Sequence, residues 1–315
     1  MAAYFRNFQT RADLDKSYDV ERSVPNFMVY ADQWVNNSGQ ARRHLTNKLG
    51  LRFGPTVEEY CDVFPAARRG APVFIFIHGG YWRILSAREF SFVALGPVAA
   101  GITTVVANYA LCPRVTIGEI VRQMRALVSW TYRHIAEFNG DPENIHVGGH
   151  SAGGHLAAMM ALTDWRGAYG LSPNIVKTIF PISGLYDLEP LRHSYLQPDL
   201  RLDDREIETH SPQRHVRRVH PPMLLSYGSE EPSEFSRQSD DFLSAWKRAG
   251  NRATYLPQIG RNHFTAIADF TDKDSPFCRE LFALMGHTPR PQSAFGDRPA
   301  ASVLIPSSGF GLSSR

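Results

Sequence analysis

The stretch Ile145–Leu156 reads IHVGGHSAGGHL and sets one serine, Ser151, among glycines and histidines. Three readings compete for that serine: a nucleophile, a helix cap, or a loop residue in a histidine-rich metal site. An apolar run ends just before it, and the small-residue run GHLAAMMAL (154–162) begins just after it. Gly149-His150-Ser151-Ala152-Gly153 therefore fits G-x-S-x-G where a strand turns sharply into a helix. The pattern alone is weak, and the context carries it. A serine on such a turn needs small neighbours, because a side chain there would strike the adjoining strand and helix. The helix N-terminus behind it points amide N–H groups toward developing negative charge. The plainer reading is that Ser151 only caps the helix.

Outward from this turn, strands and helices alternate. PVFIFIHGG (72–80), ITTVVANYA (102–110), NIHVGG (144–149), IVKTIFPISG (175–184), MLLSYGS (223–229) and ATYLPQIG (253–260) read as strands, apolar and rich in β-branched residues. In 116–140, Ile117, Ile120, Val121, Met124, Leu127, Val128 and Tyr132 recur at helical spacing, closed by Asn139-Gly140. SRQSDDFLSAWKRAG (236–250) reads as an amphipathic helix, and a last helix spans about 278–285. This alternation predicts βαβ units and a mostly parallel sheet flanked by helices. Residues 1–50 are polar with scattered aromatics and read as helical pieces, and PAARRGAP (65–72) reads as a turn. The expected organisation is an N-terminal helical extension (1–70), a catalytic domain (71–286) and a disordered tail (287–315) rich in Pro, Ser and Gly.

Composition narrows the function classes. The chain has 315 residues, 43% hydrophobic and 21% charged, as an ordinary globular protein does. A net charge of +3 is small and spread out, so neither nucleic acid nor membrane is an expected partner. Cys61, Cys112 and Cys278 form no CxxC or zinc spacing and fit a reducing, cytoplasmic setting. The first residues lack the apolar core of a signal peptide, and no segment reaches the length of a membrane helix.

Three further stations bear on chemistry. His78-Gly79-Gly80-Tyr81-Trp82 follows the first buried strand, where glycine amides could approach an oxyanion together with the N–H of Ala152. A plain glycine turn is the alternative. His263, in GRNHFTAI, follows the last strand and suits the late base of the chain order Ser…acid…His; His287 is later but opens the tail. SYGSEEPSEF offers Glu230, Glu231 and Glu234 as the acid that would hold the imidazole tautomer, and a surface acidic turn is the alternative for each. His146, His150 and His155 suggest a metal, but a strand, a turn and a helix should send their side chains apart, so no metal is expected. HSPQRHVRRVH (210–220) reads as a solvated basic surface.

Together these stations resemble the α/β-hydrolase superfamily, and more narrowly its kynurenine formamidase (arylformamidase) branch. HGGYW, SGLYDLEPL (183–191), SYLQPDLRLDDREIETHSP (194–212), SEFSRQS (233–239) and LDKSYDVERSVPNF (14–27) carry the narrower resemblance. NYALCP (108–113) is similar to a stretch shared with hormone-sensitive-lipase-like esterases. The likeness covers about residues 10–285. It implies Ser151 as nucleophile, His263 as base and Gly79 and Gly80 as oxyanion donors. It places the acid, often Asp in that family, on Glu231, with Glu230 second. The implied activity is cleavage of a small acyl amide of an aromatic amine, such as N-formylkynurenine, through an acyl-enzyme and without cofactor. A carboxylesterase of short-chain or aryl esters is the alternative. Tyr81, Trp82, Tyr186 and Phe264 neighbour the stations and are the expected aromatic walls for a flat leaving group; for Trp82 a packed loop anchor is an equal alternative. The only hint of a homodimer comes from the family.

Overall fold

The computed structural model describes residues 3–289. Eight strands form one sheet: β1 (Lys48–Arg52), β2 (Tyr60–Phe64), β3 (Ala71–Ile77), β4 (Thr103–Ala107), β5 (Gly140–His150), β6 (Val176–Ile182), β7 (Met223–Gly228) and β8 (Ala253–Gln258). Their spatial order is β1-β2-β4-β3-β5-β6-β7-β8. Only β2 runs against its neighbours, so the sheet from β4 to β8 is parallel. The α/β-hydrolase architecture expected from the sequence is thus observed.

Parallel strands covered on both faces are apolar throughout rather than alternating. In β3, Val73, Phe74, Ile75 and Phe76 are all fully buried, which is why this run is so legible in the sequence. The helix Ile117–His134 starts on Thr116, whose hydroxyl accepts from the Glu119 amide, and turns Ile120, Met124, Leu127 and Val128 onto the sheet. Each such side chain contributes about 1.5–3 kcal/mol on burial. The helix Ser233–Arg248 covers the β7–β8 end with Phe235, Phe242 and Trp246, all fully buried.

The first 70 residues hold more than helices. Helices Arg11–Lys16 and Met28–His44 are present, but β1 and β2 also lie here and enter the sheet. The stretch expected as an extension therefore supplies two strands of the same sheet. Helix Met28–His44 is tied to the turn at 86–94: Ser38 Oγ donates to the Glu89 carbonyl at 2.8 Å and accepts from the Phe92 amide at 3.2 Å. The expected tail begins with His287, whose Nε2 donates to the Ala100 carbonyl at 2.8 Å. The remainder of that expectation, residues 290–315, lies outside the described residues. Among the described residues no helix is long and apolar enough to cross a membrane, and all three cysteines are buried and free.

Candidate active site

Strand register brings the stations to one edge of the sheet. Ile77 of β3 lies opposite Gly149 of β5, so the residues that follow each strand emerge side by side. Gly149 and His150 lie opposite Pro181 and Ile182 of β6, Ile182 opposite Ser226 of β7, and Gly228 opposite Gln258 of β8. Gly79, Ser151, Ser183, Glu231 and His263 thus follow five adjacent parallel strands at their carboxyl ends, where ligands of open α/β sheets bind.

Ser151 has φ 58° and ψ −121°, a left-handed conformation that side chains rarely adopt. Its amide donates to the Ile182 carbonyl at 2.8 Å, and its carbonyl accepts from the Gly154 amide at 2.8 Å, which fixes the bend. The side chain makes no capping hydrogen bond, so the cap reading has no support in the geometry. The flanking glycines are required by space. A Cβ on Gly153 would stand 1.9 Å from the Ile77 carbonyl oxygen, and one on Gly149 would stand 2.3 Å from the Gly153 carbonyl oxygen. Both distances are far inside contact, so β3 and the helix Ala152–Ala161 approach only because these positions are bare.

The turn after β3 is equally constrained. A Cβ on Gly79 would lie 3.0 Å from Ser151 Cβ, and Gly80 has φ +100°. The amides of Gly79 and Gly80 donate to no acceptor among the described residues. Ala152 is the first residue of its helix, where amides have no preceding helical carbonyl to bond. His78 buttresses this turn from below. Its Nδ1 donates to the Gly79 carbonyl at 2.7 Å, and its ring stacks on Tyr109 at 4.1 Å. Burial pushes the His78 pKa down to about 4, so this imidazole is neutral near pH 7.

His263 and Glu231 meet directly: Nδ1 donates to Oε2 at 2.7 Å, with both side chains almost wholly buried. The second carboxylate oxygen, Oε1, accepts from Ser183 Oγ at 2.6 Å and from the Gly228 amide at 2.6 Å. The structure therefore separates the three glutamates. Glu230 is exposed on the turn. Glu234 is buried, but accepts from Tyr18 Oη and from Arg237, each at 2.7 Å. The His263 ring packs against His150 and Phe235, each ring centroid 4.5 Å away. Burial, then the neighbouring His263, holds the His150 pKa well below the usual imidazole range.

Ser151, His263, Gly79 and Gly80 line one narrow cavity of about 60 Å³. Ser151 Oγ makes no hydrogen bond among the described residues, so it and His263 are neighbours on the cavity wall rather than a closed pair. Of the expected aromatic walls, Tyr81 and Phe264 line this cavity. Trp82 and Tyr186 do not. Trp82, with φ 57°, turns inward and is fully buried edge-on against His155 at 4.9 Å. Tyr186 is fully buried and stacks flat on Phe242 at 4.1 Å. Adjacency in sequence pointed to them, but backbone direction sends them into the core.

Several lining residues are not among the site residues expected from the sequence. Val20, Glu21 and Trp34 reach the cavity from the N-terminal segment, and Tyr195 comes from a later loop. This segment is held by buried polar contacts. Tyr81 Oη donates to the Tyr18 carbonyl at 2.6 Å, and Gln238 Nε2 donates to Tyr18 Oη at 2.8 Å. The hints in the sequence were the resemblances of residues 14–27 and 194–212, which hold Val20, Glu21 and Tyr195.

The three clustered histidines diverge. His146 bonds Thr178 and Asn144, His155 Nε2 donates to the His210 carbonyl at 2.6 Å, and His150 lines the cavity. In the 210–220 stretch, Arg214 pairs with Glu208 and Glu189, and Arg217 donates to the Leu162 carbonyl. Much of that basic run thus ties loops together.

Comparison with known proteins follows the same lines. Residues 62–246 match the family model described as BD-FAE. A kynurenine formamidase of Danio rerio is 28% identical over 290 residues, spanning 88% of this chain and 97% of its own. Esterase LipQ of Mycobacterium tuberculosis is 28% identical over 246 residues, spanning 71% of this chain and 58% of its own. A solved protein from Silicibacter sp. superposes with a TM-score of 0.76 at 26% identity, covering 84% of this chain and 97% of that one.

Proposed function

The chain belongs to the BD-FAE family, within the α/β-hydrolase superfamily, and on that premise we propose that it is a serine hydrolase cleaving a formyl-like amide of an aromatic amine. Its coarser activity, hydrolysis of esters or amides, is common to its named relatives. One observation supports the serine-hydrolase reading: a serine on a strained bend shares a cavity with His263, whose Nδ1 donates to the buried Glu231.

The chemistry follows from these positions. Ser151 Oγ attacks the acyl carbon while His263 Nε2 takes its proton. Glu231 accepts from Nδ1, which leaves Nε2 proton-free to act as base, and the imidazolium that forms meets a carboxylate. The tetrahedral oxyanion rests on the amides of Gly79, Gly80 and Ala152. Collapse of that intermediate breaks the C–N bond, and His263 returns its proton to the departing amine. Water then attacks the acyl-serine with His263 again as base, releasing the acid and restoring the hydroxyl.

A narrow cavity suits a one-carbon acyl group. Tyr81, Phe90, Trp34 and Phe264 around it suit a flat leaving group. The family relative acting as a kynurenine formamidase makes N-formylkynurenine the first substrate to try. The likeness to an esterase favours aryl and short-chain esters as the second reading. The test compares kcat/KM for N-formylkynurenine and p-nitrophenyl acetate, with Ser151→Ala as the blank. Formamide turnover that vanishes in Ser151→Ala supports the proposal. Fast ester cleavage with negligible formamide turnover replaces it with the second reading, and a blank as active as wild type removes both.

A further inference from the structure

The turn that follows the glycines of HGGYW carries more backbone strain than the chemistry above uses. Gly80, Tyr81, Trp82 and Leu85 have φ of 100°, 49°, 57° and 72°. The amides of Arg83 and Ile84 both return to the Gly80 carbonyl, at 3.0 and 3.1 Å. Burying Trp82 on one side of this tight loop sends Arg83 to the other, onto the cavity wall. Strain of this kind persists where the surroundings over-determine it, and it clusters at ligand clamps.

The Arg83 side chain is held in place but incompletely paired. Nη1 donates to Asp199 Oδ2 at 2.5 Å, and the guanidinium carbon lies 5.7 Å from the centroid of the Tyr195 ring. Nε is buried and has no acceptor, and Nη2 has none among the described residues. An arginine anchored at one nitrogen presents its remaining edge as a fork for a planar carboxylate. Glu21 lines the same cavity, is exposed, and makes no ion pair among the described residues. Tyr195, also in the lining, has its hydroxyl pKa raised by burial first and by the acidic Asp19 and Glu21 after, with Arg83 opposing. A cation and an anion therefore stand at one cavity, each with capacity to spare.

We propose that Arg83 and Glu21 recognise a free α-amino-acid head on the leaving-group side of the substrate, Arg83 taking the carboxylate and Glu21 the ammonium. The inference deepens the formamidase reading and rests on it for the position of the head relative to the reacting carbon. It makes Arg83 a specificity residue, since a neutral aryl amide has nothing to offer it.

The experiment uses the full chain and two formamides, zwitterionic N-formylkynurenine and neutral formanilide, with Arg83→Gln, Arg83→Lys and Glu21→Gln. The readout is the ratio of kcat/KM for the charged substrate to that for the neutral one, so a general loss of folding or catalysis cancels. Loss of one charged hydrogen-bond partner is worth about ten- to hundredfold. Arg83→Gln is expected to lower the ratio by that factor, Glu21→Gln by about three- to tenfold, and Arg83→Lys is expected to restore part of it. A ratio within twofold of wild type in Arg83→Gln overturns the inference. A second measurement is independent of turnover: binding of kynurenine to Ser151→Ala with and without Arg83→Gln, followed by calorimetry. A Kd weakened at least tenfold by Arg83→Gln supports the inference even if neither formamide is cleaved, in which case the formamidase reading alone fails. An unchanged Kd overturns the inference whatever the turnover.

Discussion

Replacing Glu231 by Gln tests the proposed catalytic pair where its geometry is most specific. Oε1 accepts from the Gly228 amide at 2.6 Å and from Ser183 Oγ at 2.6 Å. The backbone donor cannot turn away, so the amide oxygen of Gln must stay on that side, and the amide nitrogen then faces His263. Two donors cannot share the 2.7 Å gap now spanned by Nδ1 and Oε2. His263 is thereby forced into the other tautomer, with its proton on Nε2, where it cannot accept from Ser151. The imidazolium also loses its carboxylate partner. Loss of tautomer control in such triads costs about 10⁴-fold in kcat, and each tenfold is about 1.4 kcal/mol of barrier. The expected fall is about 10³–10⁴-fold in kcat, or roughly 4–5.5 kcal/mol, with KM changed less. Glu231→Asp keeps the charge but is shorter by one carbon–carbon bond, about 1.5 Å. It cannot hold the Gly228 amide and His263 together, and about 10–100-fold is expected. Glu230→Gln, on the exposed neighbour, should stay within about threefold. The assay is steady-state hydrolysis of p-nitrophenyl acetate, with the rate of fluorophosphonate labelling as a second readout. Retention of kcat within about tenfold in Glu231→Gln, or an equal fall in Glu230→Gln, would refute this account of the pair.

Two further outcomes follow from packing and from buried histidines. Gly153→Ala pushes a methyl to 1.9 Å from the Ile77 carbonyl; about 3 kcal/mol or more is expected to be lost, lowering Tm by roughly 6–12 °C, and a variant with unchanged Tm and activity would contradict the close approach. Burial lowers the pKa of His78 to about 4 and those of His146 and His155 to about 3, from 6.5. Between those values the unfolded chain binds protons that the folded chain does not, so stability is full above about pH 6.5 and falls as pH drops toward 4. The expected slope is about 1.4 kcal/mol per pH unit for each such histidine, read from urea midpoints at successive pH, and His146→Gln should make it shallower.

The parts of the fold that were legible are those where burial dictates composition. Strands β3 to β8 announce themselves because most are covered on both faces, while β1 and β2 sit at the antiparallel edge. β1 is KLGLR and almost wholly exposed, and β2 carries the buried Asp62, whose carboxylate accepts from the Gly50 amide at 2.8 Å. Neither run has the apolar continuity that marks an inner strand. In the site, Ser151, His263 and the glycine turn were legible because each follows an apolar strand, and chain order then limits the partners. The residues alone leave the acid among three glutamates of one loop; the resemblance selects Glu231, and the folded turn brings that carboxylate to the imidazole. Ser183 was missed although it follows β6, because a serine after a strand has no distinguishing neighbour. Tyr186 departs from the expected wall for a related reason, and Trp82 takes its packed-anchor alternative: a stack on a distant phenylalanine, or a positive φ, is not written in the adjacent residues.

The seating of Tyr18 has a consequence for how this molecule comes into being. Its hydroxyl bonds Glu234, 216 positions later, and Tyr30 reaches Asn262 across 232. Chain synthesis runs from the N-terminal side, so Tyr18 and Tyr30 are made long before those later residues exist. Tyr18 and Tyr30 stay without these partners until more than two hundred further residues have been made, so the N-terminal wall of the cavity is completed late in folding.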